Sequence, residues 1–110
     1  MEPPDPTAET AFFWDIAESF LADPTTSVGT LMKFPCLRVN GSFLAICDHR
    51  TGDLIVQLPR QRVAQLIDDG AARPFAPAGR TFKEWASIPE RDAGTWRSLL
   101  TEARTYAAAR

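Results

Sequence analysis

Cys36-Leu37-Arg38-Val39-Asn40-Gly41-Ser42-Phe43-Leu44-Ala45-Ile46-Cys47-Asp48 is the stretch whose reading decides the fold. Two apolar-rich runs flank Asn40-Gly41, and both of these residues tolerate positive φ, so the segment predicts a β-hairpin with a two-residue turn. That turn pairs Val39 with Ser42, Arg38 with Phe43, Leu37 with Leu44 and Cys36 with Ala45. Because successive strand side chains point to opposite faces, Leu37, Val39, Leu44 and Ile46 are expected on the core face. Cys36, Arg38, Phe43, Ala45 and Cys47 then share the other face. On this register the cysteines are diagonal neighbours, a poorer geometry for a disulfide than direct opposition, and both read as free thiols.

Working outward, Arg50-Thr51-Gly52 predicts a second tight turn with glycine at the left-handed position. It sets Ile46 opposite Val56, Leu44 opposite Leu58 and His49 across from Asp53, and keeps Leu54, Val56 and Leu58 on the core face. Pro59 opens a helix over residues 59–69 with Val63, Leu66 and Ile67 inward, and Gly70 closes it. Residues 71–82 read as a Pro/Gly/Arg loop, residues 84–88 as a last strand ended by Pro89, and Asp92 as the cap of a final helix reaching about residue 108. Trp96, Leu99, Leu100, Ala103, Tyr106 and Ala107 form that helix's apolar stripe.

Upstream, residues 1–6 read as a disordered lead-in. Residues 7–22 read as a helix capped by Thr7, with Phe12, Phe13, Ile16, Ala17, Phe20 and Leu21 recurring at helical spacing. Phe12, Phe13 and Trp14 are adjacent, so one stripe does not bury all three, and Trp14 is expected to be partly exposed or to touch a partner chain. Asp23-Pro24 stops this helix, and residues 31–34 are a first strand or edge. The order α-β-β-β-α-β-α predicts an α+β two-layer domain over residues 7–110, an antiparallel meander with helices packed on it.

Composition narrows the function classes. At 110 residues, 45% hydrophobic and 24% charged, the chain suits one globular domain with an adequate core. No window holds the roughly 20 apolar residues of a membrane span, and the acidic, proline-rich start does not read as a secretory leader. The expectation is a cytoplasmic protein with no membrane partner. With one histidine and two cysteines, no zinc-ligand pattern arises. The net charge of -2 hides an asymmetry: residues 1–27 carry six acids and no base, whereas the remainder carries all twelve bases, ten of them arginine. A basic body permits a polyanionic partner.

The run Leu37-Arg38-Val39-Asn40-Gly41-Ser42-Phe43-Leu44-Ala45 resembles the V-N-G-x-hydrophobic-x-A hairpin of the YjbR-like and TfoX N-terminal-like domains. Leu58-Pro59, Arg62, Gly70 and the Phe75/Pro77 loop follow in the same order. Gly79-Arg80-Thr81-Phe82-Lys83-Glu84-Trp85 is similar to that family's G-R-x-x-K-E-W/Y motif, and Trp96 to Ala103 matches its last helix. The resemblance spans about residues 28–108. It implies the MmcQ/YjbR type of fold with paired hairpins described as a double wing, a bacterial cytosolic setting, and a proposed role in binding DNA.

On that resemblance the first candidate site is the Gly79–Trp85 motif. Arg80 and Lys83 would contact phosphates, and Gly79 would let the backbone approach closely. The structural alternative, which the residues favour, pairs Arg80 with Glu84 and plugs the core with Trp85 and Phe82. Lys33, Arg38 and Arg50 would track a nucleic-acid backbone if the hairpins act as wings; otherwise they are solvated charges, the plainer reading. Arg60 and Arg62 read as surface charges. His49 and Asp53 suggest a cross-strand hydrogen bond rather than an acid/base pair, and nothing orients His49 toward Cys47 as a nucleophile's base. No phosphate-cradling glycine loop or Ser/His/Asp set is present. The expectation is a small non-enzymatic domain with no catalytic residues, cofactor or metal, monomeric or weakly dimeric, whose partner is DNA. The alternative is a protein-interaction or small-ligand-binding module with no nucleic-acid role.

Overall fold

Asn40 and Gly41 both adopt positive φ, 50° and 84°, and the hairpin forms around them as expected. The computed structural model describes residues 9–31 and 34–109. The expected lead-in, the expected cap Thr7 and the candidate Lys33 lie outside those residues. The elements are α1 (Ala11–Leu21), β1 (Thr26–Leu31), β2 (Phe34–Val39), β3 (Ser42–Cys47), β4 (Leu54–Gln57), α2 (Arg60–Asp68), β5 (Arg73–Phe75), β6 (Phe82–Ile88) and α3 (Ala93–Ala108). The strands form one antiparallel sheet in the order β1-β2-β3-β4-β6-β5. This is the α+β two-layer arrangement expected, with two further strands. Among the described residues no helix is long and apolar enough to cross a membrane.

One irregularity corrects the hairpin register. Val39 opposes Ser42 and Arg38 opposes Phe43, but Leu37 opposes Ala45 and Cys36 opposes Ile46. Leu44 is therefore an extra residue on β3, a β-bulge that breaks the two-residue alternation. Leu44 and Ala45 both enter the main core, Cys47 follows them, and Ile46 turns to the opposite face beside Cys36. The expected placements of Ile46 inward and of Ala45 and Cys47 outward are overturned. Both thiols are free, and they lie on opposite faces of the sheet rather than on one.

The bulge propagates to the next pairing. Ala45 opposes Val56, Ile46 opposes Ile55 and Cys47 opposes Leu54, one residue away from the expected register. The Asp48 N–H donates to the Asp53 carbonyl at 2.9 Å, so Asp48, not His49, sits across from Asp53. Leu54, Val56 and Leu58 nevertheless fill the core as expected, because their own alternation never passes through the bulge.

Two strands were not anticipated where they lie. The expected strand over 31–34 is divided between two: Leu31 ends β1, Phe34 begins β2, and these two residues oppose each other. The expected loop over 71–82 contains β5 and a single 3-10 turn, Pro77–Gly79, while β6 begins at Phe82. Residue 74 is proline, which donates no hydrogen bond and survives here because β5 is an edge strand.

All three helices share the main core with one face of the sheet. Helix α1 begins at Ala11 rather than near residue 7, and buries Phe13, Trp14, Ile16, Ala17 and Phe20. Trp14 is buried rather than exposed, because α1 is flanked by both β1 and α3. Phe12 uses a third direction and packs edge-on against Trp96, with ring centroids 4.8 Å apart. The Asp92 side chain accepts the Thr95 N–H at 2.9 Å, the predicted cap of α3. The Trp96 indole N–H donates to the Glu90 carbonyl at 2.7 Å, which satisfies the one polar atom of a fully buried ring.

Candidate nucleic-acid interface

The face of the sheet turned away from the helices carries its own cluster. Cys36, Ile46 and Ile55 are buried at its centre, ringed by half-buried Leu31, Phe34, Phe43, Phe75 and Trp85. Residues directly opposite on neighbouring strands point the same way. Gly29 therefore stands beside Cys36, Ile46 beside Ile55, and Arg73 beside Ser87, in one row across the strands. A second row holds Ser27, Arg38 and Phe43, then Gln57 and Trp85. Lys83 is exposed two residues before Trp85, where the β5–β6 pairing is irregular, at the margin between this face and α2.

Charge on this face has one sign. Glu84 is the one carboxylate in the described strands, and it accepts a hydrogen bond from the Tyr106 hydroxyl of α3 at 2.5 Å, on the helix side. Arg38, Arg73 and Lys83 make no ion pair among the described residues.

Arg38 is held most closely. Its guanidinium lies 4.5 Å from the Phe43 ring centre, and its Nη2 donates to the Thr30 carbonyl at 3.2 Å. The side chain passes over Gly29, where an added Cβ would stand 2.5 Å from Nε and 2.7 Å from Cδ. The buried Nε finds no hydrogen-bond partner among the described residues, and the Cys36 thiol lies near the Arg38 side chain. Burial pushes the Cys36 thiol up, and the guanidinium offsets part of that push.

The Gly79–Trp85 motif is placed differently from either expectation. Arg80 does not pair with Glu84; its guanidinium lies 5.3 Å from the ring centre of Phe82, which is 37% exposed. Trp85 does not plug the helix-side core but joins the open-face cluster, tilted against Phe75 at 6.3 Å. Gly79 has φ 81° and ends the 3-10 turn that leads to Arg80. Arg80 and Lys83 thus stand at one end of β6. Arg38 lies three strand steps away, about 14 Å at the usual spacing.

The structure does not bring the sequence candidates to a single point. Arg50 is exposed in the β3–β4 turn, at the opposite end of the strands from the Asn40-Gly41 turn. Beside it His49 stacks on Phe34, with centroids 3.8 Å apart and planes 15° apart. His49 does not meet Asp53, which pairs with Arg91 at 3.0 Å. Cys47 is buried, and burial pushes its thiol up to about 12, so it holds no thiolate near neutral pH. Arg62 is not a free surface charge: it grips both Glu102 oxygens, at 2.9 and 3.1 Å. Arg73 and Gly29 were missed as site residues. Arg73 was hidden because a three-residue strand containing proline reads as loop, and Gly29 because its role depends on a side chain nine residues away.

A groove of about 780 Å³ lies between α2 and β6, walled by Arg60, Val63, Ala64, Ile67, Phe82 and Tyr106 and bordered by Lys83 and Trp85. No family model, curated protein or solved structure matches this chain.

Proposed function

We propose that this chain is a non-enzymatic binding domain that takes DNA across the open face of its sheet. The observation that carries the reading is the pairing of one-signed charge with half-buried rings there: Arg38, Arg73 and Lys83 among Phe34, Phe43 and Trp85, with no carboxylate in the described strands of that face. A polyanion gains from such a surface by releasing counterions at each contact. The resemblance to the YjbR-like and TfoX N-terminal-like domains supports the same partner and a bacterial, cytoplasmic setting. Arg80, and Arg50 at the far turn, extend the positive margin.

The test is fluorescence anisotropy of a labelled oligonucleotide at about 50 mM salt, where electrostatic contacts are strong. The wild type should bind at micromolar concentration or tighter and weaken as salt is raised. The Arg38→Glu/Arg73→Glu/Lys83→Glu triple variant should lose binding, while Arg97→Glu on α3 should not. Absence of binding to both duplex and single-stranded DNA at that salt overturns the reading.

The groove between α2 and β6 favours a second reading, a small-ligand or protein-interaction module, since it is concave, mostly apolar and edged by Arg60 and Lys83. Binding that perturbs α2 and leaves the open face unchanged would support it.

A further inference from the structure

On the reading that the open face binds DNA, we infer that its ligand is a single strand, with bases stacked on the Arg38–Phe43 pair and on Trp85 and phosphates met by Lys83 and Arg73. A duplex hides its base faces and offers a major groove about 12 Å wide, which suits a helix or a two-stranded ribbon. Six strands side by side are about 24 Å wide. Among the described residues no helix lies on this face to enter a groove. Against a duplex, the aromatic side chains would have no partner.

A single strand uses both features. Bases stack on aromatic rings and on guanidinium planes. Arg38 presents such a plane already fixed, laid over Phe43, bonded to the Thr30 carbonyl and seated in the gap that Gly29 leaves. Phe43 and Trp85 are two strand steps apart, about 10 Å, and Gln57 lies opposite Trp85 on the strand between. At the other end of the face, the His49 ring stacked on Phe34 offers a further plane. Three cations without ion pairs predict few phosphate contacts, hence a shallow salt slope of about -2 for single strands.

The experiment compares oligo-dT of about 12 nucleotides with a duplex of the same length at low salt. The single strand should bind roughly tenfold or more tightly than the duplex, the value of one good stacking contact. Trp14 and Trp96 are buried and Trp85 is half-buried, so quenching of tryptophan fluorescence on binding should come from Trp85. Trp85→Leu should abolish the quenching, and Arg38→Gln should weaken binding about tenfold. Backbone amide shift mapping on the unmodified protein needs no variant, and its largest changes should fall at Arg38, Phe43, Gln57 and Trp85. Equal or tighter binding of the duplex, or shifts confined to α2 and α3, overturns this inference while leaving DNA binding standing. If neither DNA binds, the DNA reading itself falls.

Discussion

On the helix-covered side of the sheet, three arginines end at carboxylates: Arg62 holds Glu102 at 2.9 Å, Arg91 holds Asp53 at 3.0 Å, and Arg104 reaches Asp23 at 3.5 Å. Arg60 and Arg97 on the outer helix surfaces make no ion pair among the described residues. On the open side Arg38 ends at a backbone carbonyl and an aromatic ring, and Arg73 and Lys83 have no ion pair among the described residues. The tryptophans divide in the same way, with Trp96 of α3 fully buried beside α1 and Trp85 half-buried on the open face. One side ties three of its arginines into the fold, and the other leaves its cations without a carboxylate among the described residues.

The sharpest way to break this comparison is to truncate both tryptophans. Trp96→Ala should cost about 3–5 kcal/mol in urea denaturation, because the ring is enclosed and its indole N–H is satisfied inside the protein. Trp85→Ala should cost roughly 1–2 kcal/mol, in keeping with partial burial. Equal costs would mean that the open face is a second structural core.

The two cysteines sharpen the comparison through pH. Cys47, on the helix side, is pushed by burial up to about 12. Its folded value lies above the unfolded one, near 9, so its contribution is full below pH 9 and is lost as pH rises toward 12. Between those limits the unfolded chain has released a proton that the folded chain keeps, and stability should fall by about 1.4 kcal/mol per pH unit from this group. Cys47→Ala should flatten the alkaline arm of a melting-temperature profile. Cys36→Ala should flatten it less, because the guanidinium of Arg38 favours the thiolate there and opposes burial. An identical effect of the two substitutions would show that the open face is as enclosed as the helix side.

Gly29→Ala tests the seat of Arg38. The added Cβ meets Nε and Cδ of a flexible side chain, which can swing away. Folding stability should therefore stay within about 1 kcal/mol of the wild type. Oligo-dT binding should weaken roughly fivefold, since a loose guanidinium stacks less well. Unchanged binding would show that the fixed geometry of Arg38 is dispensable.

What was legible in the sequence follows physical locality. The Asn40-Gly41 turn, the Asp92 cap, the Gly70 stop and the stripes of α2 and α3 depend on residues within a few positions of one another, and all lie where expected. The faces of β3 were misread because the bulge at Leu44 has no local mark: Phe43-Leu44-Ala45-Ile46-Cys47 is apolar throughout, so no polar residue shows where the faces switch. Strand β1 was missed because Thr26-Ser27-Val28-Gly29-Thr30-Leu31 looks weak until Arg38 is seen lying across Gly29. Of the candidate site, Arg38 and Phe43 were correctly put on the non-core face, since both precede the bulge. Trp85 was assigned to the wrong side because its size argues for burial without saying on which face.

The smallest expected effect is on the helix side. Arg62 and Glu102 form a two-pronged pair, yet their side chains remain 33% and 39% exposed. Solvent screens the attraction, and holding two long side chains together costs entropy, so Glu102→Gln should lower stability by only about 0.5 kcal/mol. It also leaves Arg62 without its carboxylate, adding a positive charge on a face that has no part in the proposed site. Oligo-dT affinity should then be unchanged at about 150 mM salt, where exposed charges more than about 8 Å apart are screened. A marked gain in affinity would mean that net charge, rather than the arrangement of Arg38, Arg73 and Lys83 on the open face, governs binding. The contrast between the two sides would then describe folding alone.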